Sequence, residues 1–196
     1  MIENPKIKQY AIHHTAVSRT QNGVQLFAVD RYHKNNSPYN YLGHPSTNGW
    51  WVAYNYFIDV DGTVTYTRAV GEETIANRGH NCDIRERCDT ISVCIAGDFN
   101  RELMTDAQIV SLGKLVDKLE AEYPDIKHTF HRSIQTGRTC PGTLFTEQYL
   151  TQRVLKKDIR ESANDEEKRK AQIAQIQSLM DTIRALLRKL YGTKVV

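Results

Sequence analysis

The chain alternates short apolar runs with amphipathic stretches, and the two periods separate strands from helices. Residues 6–12 form a short run that leads into the pair His13-His14 and predicts a strand. Residues 21–34 carry Val24, Phe27 and Ala28 at helical spacing, with Leu26 and Val29 beside them, and predict a helix. Asn, Ser, Tyr and Gly dominate residues 35–49, and Pro38 and Pro45 punctuate them, which is loop composition. Two β-rich runs, 51–59 and 63–69, flank Asp61-Gly62 and predict a hairpin. Thr-Ile-Ser-Val-Cys-Ile-Ala at 90–96 is a compact apolar run, as expected of a central strand covered on both faces. Thr105 and Gln108 form a capping-box pattern ahead of Ile109, Leu112, Val116 and Leu119, so an amphipathic helix starts there. A further strand is expected at 126–130 and a further helix at 144–154. Interleaved strands and helices with one hairpin predict an α/β domain, a mixed central β-sheet flanked by helices.

The pattern changes at about Lys157. Residues 158–170 are almost all polar, and then Ile173, Ile176, Met180, Ile183, Leu187 and Leu190 recur at spacings of 3, 4, 3, 4 and 3. That is a heptad seam, widened on one side by Leu179 and Leu186. The expected organisation is a domain at 1–157 and a helical tail at 158–196. One helix from about residue 165 to residue 190 is expected to act as a coiled coil and assemble the chain into homo-oligomers of three or four copies.

Charge narrows the partners. Lys and Arg number 26 against 23 Asp and Glu, a net charge of +3 over 196 residues, too balanced for a nucleic-acid binder. No apolar run is long enough to span a bilayer, so stable membrane insertion is not expected. The first residues, Met-Ile-Glu-Asn-Pro-Lys, lack the pattern of a secretory signal, so synthesis in the cytoplasm is expected. Cys82, Cys88, Cys94 and Cys140 are then reduced thiols by default.

Candidate chemistry lies in three places: Ile-His-His-Thr-Ala at 12–16, Tyr-Asn-Tyr-Phe-Ile-Asp-Val-Asp-Gly at 54–62, and His131-Arg132 followed by Arg138-Thr139-Cys140-Pro141-Gly142. Two imidazoles and a thiolate make a good set of three zinc ligands, with the fourth tetrahedral position left open as a catalytic site requires. Local spacing alone does not single out His13, His131 and Cys140, since two His and a Cys can be picked from many sequences.

Taken in order, these motifs, together with the strand Thr-Ile-Ser-Val-Cys-Ile-Ala-Gly-Asp-Phe, resemble the zinc N-acetylmuramoyl-L-alanine amidases. That family includes the peptidoglycan recognition proteins and the amidase-type phage lysozymes. The resemblance covers roughly residues 6–155. It implies hydrolysis of the amide between N-acetylmuramic acid and L-alanine in peptidoglycan, with one Zn2+ per chain held by His13, His131 and Cys140. Tyr54 matches the family's active-site Tyr, and Arg138 stands where relatives often have Lys or Thr. Arg cannot exchange a proton near neutral pH, so Arg138 is expected to supply fixed charge. Cys94 stands where some relatives carry a Glu base, which resembles the subfamily working with zinc and Tyr. His14, Trp51 and His80 are expected to meet substrate, His14 as a packed neighbour of the ligand and His80 where relatives place a cleft-lining His. The expected setting is a bacteriolytic, antimicrobial phage endolysin that reaches the cell wall after release. The alternatives are a non-catalytic peptidoglycan-binding or regulatory protein on the same fold and a cytosolic muropeptide-recycling amidase.

Overall fold

Strands β1 (Gln9–His14), β2 (Tyr56–Ile58), β3 (Val64–Tyr66), β4 (Thr90–Ile95) and β5 (Lys127–Phe130) form one sheet in the order β3-β2-β4-β1-β5. The computed structural model describes residues 7–19, 25–40, 43–72, 76 and 89–191, and only the backbone at 157–167, 188, 190 and 191. β1 runs parallel to β4 and β5, and β2 runs parallel to β4. β3 pairs antiparallel with β2 at the edge, which makes the sheet mixed, as expected. β4 lies between β1 and β2 and is buried at every position, so its sequence is a continuous run rather than an alternating one.

Elsewhere the period of two assigns the faces. Tyr10, Ile12, Tyr56, Ile58, Ile91, Val93 and Ile95 share the larger core. Phe57 and Cys94 belong to a smaller cluster with Leu26, Val52, Tyr54 and Ala96. His13 is in register with Cys94, and Cys94 with Phe57, so His13 stands in the row on that second face.

Around the sheet lie α1 (Leu26–Asn35), α2 (Asp106–Glu122), the short α3 (His131–Ile134) and α4 (Glu147–Leu150), and the long α5 (Lys157–Tyr191). Thr105 caps α2 reciprocally: its hydroxyl accepts from the Gln108 N–H at 3.1 Å, and Gln108 Oε1 accepts from the Thr105 N–H at 3.0 Å. Gln108 Nε2 also donates to the Ala96 carbonyl at 2.7 Å, tying the start of α2 to the end of β4. Ile109, Leu112, Val116 and Leu119 are buried as the amphipathic pattern requires.

Several elements differ in extent from the sequence reading. The helix expected at 21–34 is described from Leu26, and residues 20–24 lie outside the described residues. The hairpin strands are only three residues each; just before β2 the Asn55 backbone still pairs, its N–H donating to the Ser92 carbonyl at 3.0 Å and its carbonyl accepting the Thr67 N–H at 2.9 Å. The helix expected at 144–154 is two pieces, α4 capped by Thr146 and a π-helical turn at Thr151–Leu155, which bury Leu150 and Val154.

α5 begins about two turns earlier than expected and runs without a Gly or Pro to Tyr191. It packs on α2, where Lys170 Nζ lies 3.7 Å from Asp106 Oδ2. The heptad seam from Ile173 to Leu187 is not covered by the chain's own domain: its side chains remain 39% to 60% exposed. Among the described residues, no helix is long and apolar enough to cross a membrane.

Candidate metal centre and cleft

His13 is the penultimate residue of β1, and His131 follows the last residue of β5. Both therefore leave the carboxyl ends of neighbouring parallel strands, where open α/β sheets place their ligands. The two imidazole centroids are 4.6 Å apart. Cys140 arrives from the loop after α3, with Sγ 3.8 Å from His13 Nδ1. One donor atom from each of His13, His131 and Cys140 lies within 4.8 Å of the others. Zinc–nitrogen and zinc–sulfur bonds in a tetrahedron give an N···S edge of about 3.6 Å, so the residues present fit such an ion.

The residue after His131 positions the third donor. The Arg132 N–H donates to the Cys140 carbonyl at 2.8 Å. Its guanidinium donates to the carbonyls of Gly142 at 2.9 Å and Phe145 at 2.7 Å, clamping the whole Cys-Pro-Gly loop. Gly142 has φ 122°, and a Cβ there would sit 2.3 Å from the Phe99 carbonyl carbon, so only glycine fits. Gln135 Oε1 faces His131 Nε2 at 3.1 Å, the kind of contact that fixes the direction of a ligating ring.

β5 ends at Phe130, so a helical turn and not strand alternation aims His131. His128 nonetheless lies away from the site, against Glu147.

Burial sets the protonation of the neighbours. It pushes the Cys140 thiol up to about 11, against the opposing pull of the His14 backbone N–H, Arg132 and Arg138. A metal must displace that proton, and the two guanidiniums lower the cost of the thiolate. Tyr54, with its ring centroid 5.2 Å from that of His13, has its phenol pushed well above the ordinary range. Burial is the main cause; Cys94, which hydrogen-bonds the phenol, and Cys140 add to it. Tyr54 thus keeps its proton at neutral pH and has it available to donate in a hydrogen bond. Its neighbour Asn55 fixes the strand: Oδ1 accepts from the Ser92 N–H at 2.8 Å, and Nδ2 donates to the carbonyls of Arg68 and Ala69.

A cleft of about 670 Å3 opens over these groups, walled by Thr15, Tyr32, His33, Tyr39 and Arg138. α1 supplies one wall and is anchored by the buried Asp59 carboxylate, which accepts the N–H groups of Gln25 and Leu26 at 2.8 to 3.0 Å. His33 stacks on Tyr39 with centroids 4.1 Å apart, and its Nδ1 accepts the Ala53 N–H at 3.1 Å. Burial, aided by Arg68, lowers its pKa to about 4.

The structure thus brings together His13, His131, Cys140 and Tyr54, with the exposed Arg138 beside them on the cleft wall. His14 borders the cleft, but its ring stacks on Phe99 and its Nδ1 accepts the Phe99 N–H at 3.2 Å. Trp51 is not brought to the cleft: its N–H is held by Asp30, and its ring lies 5.8 Å from Lys34 Nζ along α1. His80, Cys82 and Cys88 lie outside the described residues. Sequence reasoning gave no role to Arg132, quoted only beside His131, and did not single out Gln135, Tyr39 or His33. Of these, Gln135 alone left a trace, four residues beyond His131 on a turn.

Residues 3–143 match the family described as N-acetylmuramoyl-L-alanine amidase. An uncharacterized protein of Haemophilus influenzae (strain ATCC 51907 / DSM 11121 / KW20 / Rd) is 30% identical over 96 residues, which are 46% of this chain and 78% of that protein. Among solved structures, the N-acetylmuramoyl-L-alanine amidase LysC from Clostridium intestinale URNW is 24% identical, with TM-score 0.50 over 76% of this chain and 85% of that one. The Ph2119 endolysin from Thermus scotoductus MAT2119 bacteriophage Ph2119 is 22% identical, with TM-score 0.51 over 77% and 87%. Bumblebee PGRP-SA is 20% identical, with TM-score 0.56 over 79% and 84%. These structural likenesses establish the shared fold.

Proposed function

This chain belongs to the N-acetylmuramoyl-L-alanine amidase family, and we propose that it is a zinc-dependent bacteriolytic enzyme that hydrolyses the amide between N-acetylmuramic acid and L-alanine in peptidoglycan. The observation that carries this reading is the convergence of His13, His131 and Cys140 beside an open cleft that His131 and Cys140 line. These residues would hold one zinc ion per chain, three protein donors being the number a catalytic zinc site supplies. When bound, zinc supplies Lewis acidity, lowering the pKa of a water to about 7 and polarising the amide carbonyl.

The chain's own groups do the rest. Cys140 gives up its proton on loading, and Arg132 and Arg138 hold the thiolate. The Tyr54 phenol stays protonated and donates a hydrogen bond to the oxyanion that develops on the carbonyl oxygen. Arg138 adds fixed positive charge without exchanging a proton.

Purified protein should contain one zinc per chain and release L-alanine amino termini from intact sacculi. His13→Ala, His131→Ala and Cys140→Ser should each lose both metal and hydrolysis, because the first two remove a ligand and a hydroxyl is a poorer zinc donor than a thiolate. Full activity in a zinc-free variant would sink the mechanism. Binding to sacculi without hydrolysis would make the chain a peptidoglycan-binding protein. Turnover of soluble muropeptides but not sacculi would make it a recycling enzyme.

A further inference from the structure

Among the described residues, half of the exposed large hydrophobic side chains lie along the seam on α5, which the proposed reaction does not use. α5 spans 35 residues, about 52 Å at 1.5 Å per residue, longer than a domain of this size can cover. Its first half packs on α2, and its second half carries Ile173, Ile176, Met180, Ile183 and Leu187, flanked by Leu179 and Leu186, all exposed. With no Gly or Pro in the helix, this half cannot fold back to bury the stripe. At the observed exposures the stripe presents roughly 700 Å2, above the largest patch of a typical monomer and close to one partner's share of a stable interface.

We propose that this face is buried by copies of the same chain, three or four helices packing along the seam. Two features select a like helix as the occupant. The stripe keeps a 3.5-residue period from Ile173 to Leu187, the period two helices share when they supercoil. In the heptad register that starts with Ile173 at position a, Ile176 and Ile183 fall at d and Leu179 and Leu186 at g. Isoleucine at d disfavours the two-stranded parallel coil, and an apolar g position adds width that only more than two helices cover. A lipid surface fits less well: the opposite face is made of Gln, Ser, Thr and Ala as much as of cations, and the exposed stripe carries no Trp or Phe.

Sedimentation velocity of the full chain at micromolar concentration, with and without anionic phosphatidylglycerol vesicles, tests this independently of hydrolysis. The expected mass is three or four chains. Ile176→Asp with Ile183→Asp should reduce it to one chain while zinc content and turnover of a soluble substrate stay unchanged. Gln175→Asp with Ser178→Asp, outside the seam, should leave the mass as it was. Retained zinc content in the seam variant separates disassembly from misfolding. A monomeric or dimeric parent, an oligomer indifferent to the seam variant, or a monomer that floats with the vesicles through the same residues would overturn the proposal.

Discussion

Acidification offers a direct measurement of how His33 holds the cleft wall. His33 is 4% exposed, accepts the Ala53 N–H and has a pKa lowered to about 4 by burial. The folded state therefore favours the neutral ring, and the unfolded chain binds the proton first. That contribution is complete above the unfolded value of about 6.5 and is lost as pH falls toward 4. Over the full window it is worth about 3 kcal/mol, of which about 2 kcal/mol is lost between about pH 7.5 and about pH 5. His14, lowered to about 4 by burial, loses a similar amount over the same range. His33→Asn keeps an acceptor for Ala53 at Oδ1 and removes the titration. Urea unfolding in chelator, at both pH values, should show the parent losing about 4 kcal/mol and the variant about 2 kcal/mol. The difference corresponds to a midpoint displacement of roughly 1 M urea. Stacking lost against Tyr39 lowers the variant equally at both pH values and cancels in the comparison. Equal losses in parent and variant would refute a neutral, buried His33.

Tyr54→Phe should keep zinc and fold but lower turnover on the order of 10²-fold, the scale of one oxyanion donor; activity equal to the parent's would assign that donor elsewhere. Arg138→Ala should reduce turnover by less than any ligand variant, in steady-state assays at saturating zinc, since the group supplies charge and no proton. Gly142→Ala drives a methyl into the Phe99 backbone, so thermal unfolding should come several degrees earlier, and competition with a chromogenic chelator should show weaker zinc binding as Cys140 shifts. A Gly142→Ala protein with unchanged zinc affinity would detach the glycine from the metal loop.

What was legible in the sequence is what local physics controls. Thr105 and Gln108 announced the start of α2 because a capping box is satisfied within four residues. The unbroken apolar run of β4 announced a strand covered on both faces, and the polar stretch followed by heptads announced a long helix with an uncovered stripe. The metal trio was legible only through family resemblance, because its members are far apart in the chain. Tertiary structure alone decided the rest. Register along β1 and β4 put His13 on the cleft face and turned the ring of His14 toward Phe99. The end of β5 at Phe130 handed His131 to a helical turn, where Gln135 could meet it. Arg132 became the clamp of the Cys140 loop through carbonyls up to 13 positions away, and α1 drew Trp51 to Lys34 and His33 to Tyr39. Hydrophobic period and capping act over a turn or a strand, whereas the direction of a particular side chain depends on partners that only the closed fold supplies.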